Sequence, residues 1–213
     1  MRGRPGWTAC QPGRHVMTSV KGAWGYSLLE VVFVAGLGIT LTVVAVPQYL
    51  AGIDDVRASG AARYLSARLQ RARMEAVMRS TSVAMKFTQT ADGYSYTVYL
   101  DGNGNGVLTA DIQSGVDRPF NGTERLRDHF AGVEFGAEPG LPPIDPGGTP
   151  PGTDPIRLGV SSLATFTALG TSSSGTVYIR GRRDAQYAVR IFGDTGKTRL
   201  LKFVRRTGHW SPL

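Results

Sequence analysis

Gly25-Tyr26-Ser27-Leu28-Leu29-Glu30, followed by Val31–Val46 (VVFVAGLGITLTVVAV), decides how the rest of the chain is read. The run 31–46 has no charged side chain, and with Tyr26–Leu29 the apolar stretch extends from 26 to 46 around Glu30. About 20 such residues cross a bilayer as a helix. Arg2, Arg4, Arg14 and Lys21 precede the stretch and no acid does, so residues 1–25 carry +4. That asymmetry predicts a cytoplasmic N-terminus. A cleaved secretory signal fits poorly: it carries no acid in its apolar run and ends in a small-x-small site. Here Glu30 interrupts the run near its start and Pro47-Gln48-Tyr49 follows it.

The order Gly, aromatic, Ser, two aliphatics, Glu resembles the type IV prepilin signature. The resemblance implies cleavage after Gly25 by a prepilin peptidase on the cytoplasmic side and methylation of the new N-terminus at Tyr26. Glu30 then becomes the assembly residue, whose carboxylate pairs with the free amine of a neighbouring subunit. Such pairing neutralises two charges that are each costly in a low-dielectric site. Pro47 falls where pilins often carry a helix-bending proline.

Beyond the apolar stretch, Leu50, Ile53, Tyr64, Leu65, Leu69, Ala72 and Ala76 recur at three- and four-residue spacing, so the helix is expected to run to about Arg79. Arg68, Arg71, Glu75 and Arg79 mark its opposite, solvated face, with i,i+4 pairing among the last three. The period then changes to two. Strands are predicted at 82–88 and 94–100 around an Asp92-Gly93 turn, and at 132–135, 163–168, 175–180, 186–192 and 198–204. The Gly- and Pro-rich segment 136–155 reads as a long surface loop. A long helix followed by an antiparallel sheet resembles the GspH/FimT pseudopilin group. Phe166-Thr167-Ala168-Leu169-Gly170-Thr171, Gly175-Thr176-Val177-Tyr178-Ile179 and a last hairpin around Gly193-Asp194-Thr195-Gly196 carry that likeness.

Other sites fall away on their chemistry. Cys10 is the one cysteine, so no internal disulfide and no cysteine-based metal cluster can form. His15, His129 and His209 lack zinc-binding spacing. Gly196-Lys197-Thr198 ends like a phosphate loop, but the required earlier glycine is Ile191 and a strand follows. Asp101, Asn103 and Asn105, with Gly106 sixth, open like a calcium loop, but the twelfth position is Ile112, with Asp111 beside it, so a tight turn is the stronger reading. No catalytic constellation and no cofactor site emerge.

Charge is uneven. Residues 180–206 hold nine basic and two acidic side chains, and residues 26–179 hold eleven and fourteen. Within the basic segment, Lys197 and Arg199 resemble the Gly-Arg-x-Arg pattern of FimT-like DNA binders, with Lys in place of the first Arg. The two would share one strand face, with Arg205 beyond them. The expected fold is α+β and pilin-like: a long N-terminal helix, half transmembrane, packed on an antiparallel β-sheet domain. The expected division is a leader at 1–25, a transmembrane assembly helix at 26–49 and a soluble domain at 50–213. The expected function is that of a minor pseudopilin in a type II secretion filament, partnered by prepilin peptidase, other pseudopilins and the membrane. It would be a single-pass inner-membrane protein and no enzyme. A FimT-like minor pilin that binds DNA during uptake is the alternative, and a monomeric membrane protein with an unknown ligand is a remote third.

Overall fold

Ser27 starts the first helix. Its carbonyl accepts the Val31 N–H at 3.1 Å and its Oγ accepts the Leu29 N–H at 3.2 Å, the pattern of an N-cap. Glu30 stands three residues later, in the first turn, where the helix dipole favours a carboxylate. The resulting helix α1 spans Leu28–Arg79, 52 residues with Pro47 in its interior. Pro47 has no N–H to give the carbonyl one turn earlier. The structure is a computed structural model that describes residues 25–213. The basic leader with Cys10 and His15 lies outside the described residues, and only Gly25 of the expected leader is within them.

The chain divides between Val43 and Val44 into two units. In the first, every described residue is exposed. In the second, α1 buries Asp54, Ala58, Ala61, Ala62, Leu65, Leu69, Ala72 and Ala76. Five of these eight are alanines, which let a sheet approach the helix backbone closely. The buried face starts later than the spacing suggested: Leu50 is exposed and Ile53 half-exposed.

Two antiparallel sheets share this core. The first has the order β3-β2-β1-β6 and the second β10-β9-β8-β7-β4, with β5 also on β7. In the first sheet β1 is Val83–Thr90, β2 Gly93–Leu100, β3 Arg118–Pro119 and β6 Leu163–Phe166. In the second β4 is Glu134–Phe135, β5 Ile156–Arg157, β7 Gly175–Arg180, β8 Gln186–Ile191, β9 Thr198–Val204 and β10 His209–Pro212. Thr90 pairs with Gly93, so the first hairpin turns on Ala91-Asp92, one residue earlier than expected, and Gly93 takes a φ of +105°. The short helices α2 (Thr109–Ser114) and α3 (Leu126–His129), and strand β10, were not foreseen.

One large cluster joins the helix alanines and leucines to Val83, Met85 and Phe87 of β1, Tyr96 of β2, Ile179 of β7 and Val189 of β8. The outer faces of both sheets are also covered. Tyr178, Ala188 and Leu201 pack with Ala137, Leu141 and Trp210, and the Trp210 Nε1–H donates to the Pro142 carbonyl at 3.0 Å. The segment 136–155 is therefore irregular as expected but partly buried, because its apolar residues cap the second sheet. Burial leaves the Tyr178 hydroxyl pushed up to about 12. On the first sheet, Val107 and Ile112 cover Ala84 and Leu163.

Candidate functional site

The uncovered half of α1 is the first candidate surface. Tyr26, Leu28 and Leu29 are exposed, as are the large apolar side chains from Val31 to Tyr49. No charged side chain occurs between Glu30 and Asp54. By length and apolar composition this helix is a candidate membrane span, with none of that window buried in the chain. A surface of this kind in water would be strongly unfavourable, at about 25 cal/mol per Å² of apolar area. It calls for lipid or for the same helix of other subunits. Gly25, Tyr26 and Glu30 all stand at its start, exposed, with Glu30 in the first helical turn.

The second candidate region fastens α1 to the sheets. Asp54 is buried, and its carboxylate accepts the Arg182 N–H at 2.8 Å and the Arg183 N–H at 2.9 Å. These amides belong to the β7–β8 turn. A Cβ at Gly181 would stand 2.6 Å from an Asp54 oxygen, so this turn needs glycine there. Asp55 beside it accepts the Tyr187 hydroxyl at 2.8 Å and pairs with Lys202 at 2.7 Å. Burial first, and then the Asp55 contact, push the Tyr187 hydroxyl up.

About four turns further along α1, Arg68 pairs with Glu124, which lies just before α3. The same carboxylate accepts the Tyr64 hydroxyl at 2.8 Å and the Tyr96 hydroxyl at 2.7 Å. Arg68 Nε donates to Tyr64 at 3.1 Å, and His129 Nε2 lies 3.8 Å from Glu124. Burial alone would raise the Glu124 carboxyl, but hydrogen bonds from Arg68, Tyr96 and Tyr64 outweigh it and hold the group below its ordinary range. The Glu124 bond is the main cause that raises Arg68, whereas burial comes first for Tyr96. Arg68 is thus half-buried and committed to a partner, which corrects its expected place on a solvated face. Of the expected i,i+4 pairs, Glu75–Arg79 forms at 3.0 Å. Nothing in the sequence signals the Glu124 network, because its members are 28 to 60 residues apart.

The Asp101 segment is a tight, internally bonded turn. Asp101 Oδ1 accepts the Asn103 and Gly104 amides, and Oδ2 accepts the Gly106 amide. The Asn103 and Asn105 side-chain amides both donate to Asp111 Oδ2. Asp117, 1% exposed, accepts the Gly102 and Leu108 amides and closes the base of the segment. Lys197 and Arg199 are both exposed at the start of β9. Arg205 is not free to join them: it pairs with Glu138 and lies 3.5 Å from Asp184.

A long helix left apolar and uncovered at its start, where it is a candidate membrane span, then packed under antiparallel sheets, defines a pilin-like subunit. Residues 61–195 match the family model described as type II transport protein GspH. The chain belongs to this family, the minor pseudopilins of type II secretion. Among solved structures, a similar chain is the minor pseudopilin EpsH from the type 2 secretion system of Vibrio cholerae. The two are 16% identical over 68% of this chain and 97% of that chain, with a TM-score of 0.43. Comparison with curated proteins gives no match. The family match does not favour the DNA-uptake alternative.

Proposed function

We propose that this minor pseudopilin is cut between Gly25 and Tyr26, held in the inner membrane by residues 26–49, and then drawn into the secretion filament. In the membrane state its N-terminus is cytoplasmic and residues 50–213 lie on the far side. In the filament the apolar half of α1 packs against the same helix of other pseudopilins, and Glu30 meets a neighbour's amine. The role is structural and involves no catalysis. The observation that carries this reading is the uncharged, fully exposed helix from Val31 to Gly52, with a carboxylate at its start. A surface that apolar must be covered, and the lone charge in it must be compensated. Ser27 adds support, since its cap sets the helix to begin just behind the expected new N-terminus.

The test is mass spectrometry of the membrane form purified from cells that carry the secretion machinery. Methylated Tyr26 at the N-terminus is the expected result. An intact Met1 or a cut near residue 47 would overturn the reading, and a bulky residue at position 25 should leave the leader attached.

A further inference from the structure

The β7–β8 turn sits at a fixed height on α1, because both its Arg182 and Arg183 amides are held by Asp54. Asp54 is the first charged side chain after Glu30. Tyr49, 70% exposed, stands five residues before it. Tyrosines at that position in an apolar helix mark the boundary between hydrocarbon and headgroups. Five helical residues rise about 7.5 Å. The headgroup layer adds roughly 5–8 Å on each side of the hydrocarbon core. A turn tied to Asp54 is therefore level with the lipid phosphates when α1 is in the membrane.

The turn also has the right chemistry. Arg182 and Arg183 are exposed, and with Arg127 they line a groove of about 510 Å³. The groove's two carboxylates are already engaged: Glu134 pairs with Arg180 at 2.6 Å, and Glu138 pairs with Arg205. Among the described residues, no carboxylate lies within 4.0 Å of the Arg127, Arg182 or Arg183 guanidinium groups. A guanidinium fork matches a phosphate diester in two parallel hydrogen bonds.

We propose that Arg182 and Arg183, with Arg127 across the groove, bind the phosphates of anionic lipid headgroups and hold this edge of the domain on the membrane before filament entry. The inference rests on the reading of α1 as a membrane anchor. Each arginine near an anionic surface contributes about a 5-fold preference, so the pair contributes roughly 30-fold. The contact is salt-sensitive and reversible, which lets the subunit leave the membrane when α1 is extracted. An acidic protein surface is the competing occupant. The height of the turn favours lipid, since in the membrane state the headgroups are its immediate neighbours.

The test uses the full chain in vesicles of phosphatidylcholine with or without phosphatidylglycerol. A fluorophore is attached at Asp184→Cys, with Cys10→Ser removing the native thiol, and a nitroxide on the lipid headgroup acts as quencher. Phosphatidylglycerol should increase quenching severalfold, and high salt should reverse the gain. Arg182→Gln with Arg183→Gln should abolish it while the chain still floats with the vesicles. Folding is expected to survive, because Asp54 is bound by the backbone of both residues. An unchanged melting curve of the double variant checks this. Flotation without any effect of phosphatidylglycerol or of the double variant overturns the proposal alone. Failure to float with either vesicle overturns the anchor reading and this proposal with it. A double variant that keeps its lipid quenching but no longer co-purifies with other pseudopilins assigns the arginines to a protein partner and overturns it as well.

Discussion

Glu124→Ala tests whether the buried carboxylate fastens α1 to the first sheet. Glu124 is the side-chain partner of the Tyr96 hydroxyl, and Tyr96 is 2% exposed. Truncation strands that hydroxyl without water, at about 1–3 kcal/mol. Arg68 fares better, since it keeps Tyr64 at 3.1 Å and its side chain is 25% exposed. Its loss is therefore near that of a surface pair, about 0.5–1 kcal/mol. The total is about 2–4 kcal/mol. Tyr96→Phe alone removes one hydrogen bond from a carboxylate that retains two others, at about 1 kcal/mol. The double variant should be less unstable than the sum, by about 1–2 kcal/mol, because no buried hydroxyl is left without a partner. Urea unfolding of the mature chain in detergent measures all three. The fluorescence of Trp210, the one tryptophan downstream of the expected cut, reports the second sheet. Additive single effects, or a Glu124→Ala effect below about 0.5 kcal/mol, would refute the network as the fastening.

Glu30→Ala should leave the chain in the membrane fraction but lower its co-purification with other pseudopilins, and equal recovery would remove the assembly role. Gly181→Ala should cost about 2–4 kcal/mol in the same urea assay, because its methyl displaces the carboxylate that accepts two amides. Acid should loosen the Glu124 contact. The folded carboxyl titrates below the unfolded value of 4.5, so its stabilisation is present above that pH and fades as pH falls through the folded value. A urea midpoint for wild type that falls below pH 4.5 no faster than that of Glu124→Gln would contradict this. Calorimetric titration of the full chain with calcium should give no micromolar binding, since Asp101 is occupied by three backbone amides and both asparagines donate into Asp111.

Period and punctuation made the outline legible. Uninterrupted apolar residues set the helix, and the change to alternation after Arg79 set β1 and β2. The strands at 175–180 and 198–204 fall where expected because a serine run and a Gly-Asp-Thr-Gly turn bound them. The Asp101 segment was read as a turn on the absence of a twelfth ligand, and its amides do close on that aspartate. What the sequence hid is long-range. Asp54 looks like an interruption of the apolar face, yet it is buried, because the amides it receives come from residues more than a hundred positions away. Leu141 lies in a segment whose glycines and prolines suggest a loop and nothing more. Its burial depends on Trp210, which comes from the unforeseen β10. Lys197 and Arg199 are exposed, but Arg205, expected beyond them, is held by Glu138, which only the fold brings to it.

The charges on α1 divide it into two parts. From Val31 to Ile53 it carries none, so this half is soluble in lipid and has no internal preference for one neighbour. From Asp54 onward each buried or half-buried charge has a partner within the domain: Asp54 with two amides, Asp55 with Lys202, Arg68 with Glu124. These partners all lie within the domain, so the proposed move from membrane surface to filament would break none of these pairs. Glu30 differs: it stands at the start of the lipid-soluble half, and a helix dipole offsets it only in part, by about 0.3–1 kcal/mol. That leaves most of the cost of a charge at membrane depth, a few kcal/mol on insertion scales, uncompensated in the lone subunit. A neighbour's amine in the filament would recover that difference. On the proposed function, entry into the filament would be favoured at Glu30, the charge that the apolar half of α1 leaves uncompensated, and the apolar remainder would supply contact area.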